Sequence, residues 1–123
     1  MAISPEYRAF LEELFSPIPG VSFRAMFGGL GVYRDGAMFG LVAYERLYFK
    51  VDGETEPAFA AAGAEPFVYE GKSKPIQMSY WTAPDDCFDD PEAFEAWARL
   101  GLEAARRAAA AKPKPKPKAK RAR

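Results

Sequence analysis

VSFRAMFGGLGVYRDGAMFGLVAYERLYFKV, residues 21–51, decides the fold. Its β-branched and aromatic residues are punctuated by Arg34-Asp35-Gly36 and by Tyr44-Glu45, a spacing that predicts consecutive hairpins. A three-stranded antiparallel meander is expected. Its last strand alternates, with Leu47, Phe49 and Val51 on one face and Arg46, Tyr48 and Lys50 on the other, as a half-solvated sheet requires. Gly28, Gly29 and Gly31 interrupt its first strand, where glycine marks a bulge, a sharp bend or the close approach of another backbone. A strongly curved sheet follows.

Outward from this stretch, Ser4 suits an N-cap and Pro5 the first helical position, before a stripe of Tyr7, Phe10, Leu11, Leu14 and Phe15. Pro17, Pro19 and Gly20 end that helix. A short helix is expected over about residues 55–62, stopped by Gly63, and then a hairpin of strands 67–70 and 75–81 around Gly71-Lys72-Ser73-Lys74. A last helix begins at Asp89 or Asp90 and runs to about Ala110, with Phe94, Trp97, Ala98, Gly101 and Ala105 facing inward. The order α-β(3)-α-β(2)-α, with helices segregated around an antiparallel sheet, is α+β. The folded domain is assigned to residues 1–111, and residues 112–123, where Pro alternates with Lys, to a disordered basic tail.

The chain is 49% hydrophobic and 15% aromatic, enough to offset the entropy of ordering one core. A single cysteine, Cys87, excludes an internal disulfide and multi-cysteine metal sites, so a reducing cytoplasm is the expected compartment. Neither a signal-peptide pattern nor an apolar run long enough to span a membrane is present. The formal charge of zero hides a split: residues 1–111 hold ten basic and seventeen acidic side chains, net −7, and residues 112–123 hold seven cations and no acid. Affinity for polyanions is therefore expected of the tail and not of the folded body.

No histidine occurs, which removes imidazole acid–base chemistry, Ser-His-Asp triads and His-ligated metals together. Asp85, Asp86, Asp89 and Asp90 precede a helix, where capping explains them without a metal. Two aspartates before Cys87 oppose a thiolate there. No catalytic residue, metal or cofactor is expected, and the protein is read as a non-enzyme. The glycine cluster lacks the Lys-Ser/Thr of a phosphate loop. Arg24, Phe27, Gly28, Gly29 and Gly31 form a candidate functional motif, since glycine also lets a partner approach the backbone. Tyr48, Tyr80 and Trp81 are candidates for a partner surface. Lys112, Lys114, Lys116, Lys118, Lys120, Arg121 and Arg123 are candidates for weak, non-specific nucleic-acid contact.

The run from Arg24 to Val42, then Arg46-Leu-Tyr-Phe-Lys-Val-Asp52, resembles the N-terminal domain of the TfoX/Sxy family. Ala61-Ala62-Gly63, Pro66-Phe67-Val68-Tyr69, Met78-Ser79-Tyr80 and Trp97-Ala98-Arg99 are similar to it in order and spacing, so the resemblance covers about residues 4–108. It implies a curved antiparallel sheet of secretion-chaperone-like architecture and a regulator of natural competence acting through other proteins or the transcription machinery. It brings no catalytic residues. Full-length members carry a second, C-terminal helical domain, in whose place this sequence has residues 112–123. Two further expectations stand beside partner binding: an accessory protein tethered to nucleic acid by its tail, and a small-ligand binder or enzyme with a deep cleft in the sheet. An exposed sheet edge or aromatic face would make a homodimer.

Overall fold

Ser4 closes the first turn of α1 (Pro5–Phe15): its Oγ accepts the Tyr7 amide at 3.1 Å, and Pro5 occupies the position where no amide is needed. This computed structural model describes residues 4–26, 29–43, 45–70 and 75–111. After α1 come β1 (Val21–Met26), β2 (Gly29–Arg34), β3 (Ala37–Ala43) and β4 (Arg46–Lys50). Then follow α2 (Glu56–Ala61), β5 (Pro66–Glu70), β6 (Pro75–Thr82), a 3-10 turn (Asp85–Phe88) and α3 (Pro91–Ala111). The strands form one antiparallel six-stranded sheet, in the order β1-β2-β3-β4-β6-β5. The fold is α+β.

The expected meander of three strands is corrected to four. The stretch read as one glycine-interrupted strand is two, because the chain reverses between Met26 and Gly29, which face each other across the β1–β2 ladder. The irregularity expected at the glycines lies just beyond them, where the β2–β3 register shifts between Val32 and Tyr33. The Asp35-Gly36 turn follows its sequence signal. Both residues have positive φ, 54° and 80°, the twist that a two-residue hairpin needs.

Every helix that packs on the sheet does so on one face. Leu30, Val32, Phe39, Val42, Leu47 and Phe49 from the sheet, Leu11 and Phe15 from α1, Phe59 from α2 and Phe94, Ala98 and Ala105 from α3 make a continuous core. Phe15 is its hub, with edge-on contacts to Phe94 at 4.9 Å and to Phe39 at 5.9 Å. Gly101 lets α3 close on the sheet, for a Cβ there would stand 3.2 Å from the Phe39 carbonyl oxygen. The opposite face has a second, smaller cluster of Leu41, Tyr48, Phe67 and Tyr80, with Met38 and Ala43 against it. No helix residue belongs to it. The expectation that this side of β4 is solvated holds for Arg46, which is exposed, and fails for Tyr48, which is 6% exposed.

Candidate functional site

Strand register sorts the candidate aromatics. Leu41 stands opposite Tyr48, Tyr48 opposite Thr82, and Lys50 opposite Tyr80, which brings Tyr48 and Tyr80 to the helix-free face. Trp81 pairs with Phe49 and therefore lies on the other face, packed against the helix-side core. The three residues do not form one surface. Tyr48 and Tyr80 are buried: Tyr48 meets the Phe67 ring edge-on at 4.9 Å, and the Tyr80 hydroxyl donates to the Met38 carbonyl at 3.5 Å.

Cations lie on this face. Lys50 Nζ sits 5.2 Å from the centre of the Tyr80 ring and donates to Ser79 Oγ at 3.0 Å. The Arg24 guanidinium lies 5.0 Å from the centre of the Tyr33 ring, and Arg24 is exposed. Burial, and then the neighbouring Tyr33, push the Tyr80 phenol up to about 12. It stays protonated at neutral pH and offers no base.

The glycines of the candidate motif serve packing. A Cβ on Gly29 would run into the Val42 carbonyl oxygen, so only glycine lets β2 and β3 approach there. A Cβ on Gly31 would meet Met26 Sδ at 2.7 Å and Tyr33 Cε1 at 2.8 Å, two side chains that fold over it from the helix-free side. Arg24 faces Gly31 across the β1–β2 ladder, which brings these two motif residues together. Phe27, Gly28 and the tail cations at 112–123 lie outside the described residues.

Sequence reasoning missed one polar arrangement. Arg107 of α3 grips Asp52 with two hydrogen bonds, Nε to Oδ2 at 2.7 Å and Nη2 to Oδ1 at 3.2 Å. Asp52 Oδ1 also accepts the amides of Glu54 and Thr55, and Arg107 Nε lies 3.6 Å from Glu54 Oε2. The Arg107 hydrogen bond, assisted by those amides, lowers the Asp52 carboxyl to about 2. This is a clasp between the β4–α2 loop and α3. The signal available was only the acid at the end of β4 in the Arg46–Asp52 run.

Burial and hydrogen bonds hold Cys87 and two of the aspartates near α3. Cys87 is fully buried, and burial followed by Asp86 and Asp85 pushes its thiol up to about 12. Asp86 accepts the Trp97 indole N–H at 3.2 Å, and Asp90 accepts the Glu92 amide at 3.0 Å at the start of α3. Among the described residues no group of three or more Cys, Asp or Glu is placed to hold a metal ion. Nor is any helix there long and apolar enough to cross a membrane.

What these elements define is an α+β domain with helices on one face of an open sheet and a sealed aromatic cluster on the other. The chain belongs to the TfoX N-terminal domain family, whose pattern it matches over residues 13–105. It is 38% identical over 72 residues to the DNA transformation protein TfoX1 of Aliivibrio fischeri (strain ATCC 700601 / ES114), across 58% of this chain and 31% of that protein. The chain thus spans less than a third of the relative that it matches.

Proposed function

We propose that this chain is a non-catalytic regulatory domain of competence type, which acts in the cytoplasm by binding a protein partner. The single observation that carries the reading is the match to the TfoX N-terminal domain over residues 13–105, together with a relative named for DNA transformation. The chemistry of the described residues agrees with it. Burial favours the protonated forms of Tyr80 and Cys87, and the Asp52 and Asp90 carboxylates take part in a clasp and a helix start. On this reading Tyr48 and Tyr80 shape the contact face from beneath, and Trp81 holds the sheet to its helices.

A chimera tests it. Residues 13–105 of this chain replace the matched segment of TfoX1 in an Aliivibrio fischeri strain lacking that protein, and transformation is scored. Restored transformation is the expected result. A chimera that accumulates normally and leaves transformation absent overturns the reading.

The charge split supports a second reading, in which the seven cations of residues 112–123 tether the protein to nucleic acid. Binding of duplex DNA across a salt series tests it, with the full chain compared against one whose tail cations are all replaced by Gln. Steep salt-dependent affinity lost on replacement is the expected result. Equal affinity for both chains overturns it.

A further inference from the structure

The two edges of the sheet are unlike. β5 carries Pro66 and a register shift between Pro66 and Val68, two features that blunt an edge against further pairing. β1, VSFRAM, has neither Pro nor a bulge, and its ladder with β2 runs in unbroken register from Val21↔Arg34 to Met26↔Gly29. Among the described residues, no hydrogen bond outside that ladder falls on residues 21–26. The outward-facing amides and carbonyls, those of alternate residues along β1, therefore have no partner among the described residues.

Charge sets the sheet apart from the rest of the chain. The strands β1 to β4 and β6 contain Arg24, Arg34, Arg46 and Lys50 and no Asp or Glu, although residues 1–111 carry a net −7. The acids lie instead on helices, turns and loops, apart from Glu70 in β5. β1 is flanked by arginine on both faces. Arg24 leans over Tyr33 on the helix-free side, and Arg8, which also pairs with Glu12 at 3.0 Å, lies 5.7 Å from the Phe23 ring on the helix side.

We propose that β1 is the docking edge, and that it takes up an extended acidic segment of a partner protein as a seventh strand. Main-chain hydrogen bonds would supply the affinity and the two arginines the selection of carboxylates. The chemistry disfavours a second copy of β1. A two-fold antiparallel pairing must keep each residue on its own face, so the two registers of greatest overlap centre on Arg24 or on Phe23. The first sets Arg24 opposite Arg24, and the second brings two Arg8 guanidinium groups over adjoining Phe23 rings. An acidic strand meets neither repulsion. This inference deepens the partner-binding reading and rests on it.

Hydrogen exchange of the full chain tests it, with a ten-residue peptide that alternates Glu with Val as the probe. Slowed exchange within residues 21–26 on adding the peptide is the expected result. Arg24→Glu should weaken the peptide's affinity at least tenfold, and a peptide N-methylated at alternate amides should give no slowing even on the unaltered protein. Three results would overturn the proposal: binding without slowed exchange at 21–26, equal slowing by a Lys-for-Glu peptide, or slowing that appears on raising protein concentration alone. The last would assign the edge to self-pairing. Failure here with a working chimera removes the docking mode and leaves the regulatory reading, whereas a failed chimera with protection at 21–26 does the reverse.

Discussion

The two faces of this sheet bury aromatic side chains by different means. On one face a second layer does it: α1 and α3 cover Phe39 and Phe49, both 0% exposed. On the other face no helix contributes among the described residues, and yet Tyr48, Phe67 and Tyr80 stand at 6, 8 and 7% exposed. There the sheet covers itself. Met26 and Tyr33 fold over Gly31, and Leu41, Tyr48, Phe67 and Tyr80 close against each other across neighbouring strands. Burial by a second layer is tied to the helices, while self-burial is tied to the shape of the sheet and to the glycines that permit it.

The sharpest break of this comparison truncates one ring on each face. Phe94 on α3 is 1% exposed and touches Phe15 at 4.9 Å and Phe49 at 5.9 Å, so Phe94→Ala opens a cavity between layers that cannot move together. A loss of about 3–5 kcal/mol is expected. Phe67, on an edge strand of the self-covered face, can be replaced with less loss, because its neighbours are free to settle into the gap. Phe67→Ala should cost about 2 kcal/mol, below the range for a rigid site. Chemical denaturation of both variants checks the order, and equal losses would dissolve the distinction between the faces.

Glycine substitutions sharpen it next. Gly29→Ala drives a Cβ into a backbone carbonyl, that of Val42, and the two strands must part to admit it. Gly31→Ala meets the thioether of Met26 and the ring edge of Tyr33, both ends of side chains that can swing aside. About 3 kcal/mol is expected for the first and about 1 kcal/mol for the second, within the overpacking range. Thermal melting distinguishes them. A larger loss at Gly31 would mean that the self-covered face is as rigid as the helix-covered one.

What the sequence made legible was local. Ser4-Pro5 at a helix start, Asp35-Gly36 at a hairpin and the alternation of faces from Arg46 to Val51 each act within a few residues, and each is found in the fold, although the outer side of β4 is solvated at Arg46 and not at Tyr48. The stretch between Val21 and Arg34 reads as one strand only if Gly28-Gly29, a dipeptide that also marks turns, is taken as a bend within it, and glycines that admit a close backbone look like glycines that bend one. Trp81 follows Tyr80 directly, and adjacent strand residues point to opposite faces, so the signal that separates the two lies in the sequence itself. The Asp52–Arg107 clasp does not, for its partners are 55 residues apart and only the packing of α3 on β4 brings them together.

The smallest effects expected are of pH, and they set the two sides of the molecule apart by sign. Tyr80, on the self-covered face, has its phenol raised from 10.0 to about 12. Stability from keeping it neutral is fully present below pH 10 and is lost as pH rises toward 12, so Tyr80→Phe should flatten the alkaline decline. Asp52, on the helix side, is lowered from 3.8 to about 2. Its contribution is present above pH 4 and is lost as pH falls toward 2, so Asp52→Asn should flatten the acid decline and lower the melting temperature slightly at neutral pH. The Asp52 effect is the lesser of the two, because its partner Arg107 keeps 36% of its side chain exposed and water screens the pair. Melting curves across both limbs, on both variants, read the signs directly. If Asp52→Asn left the acid limb unchanged, the clasp would be a contact without energetic weight, and α3 would be held to the sheet by its apolar packing, Phe94, Ala98 and Ala105 included.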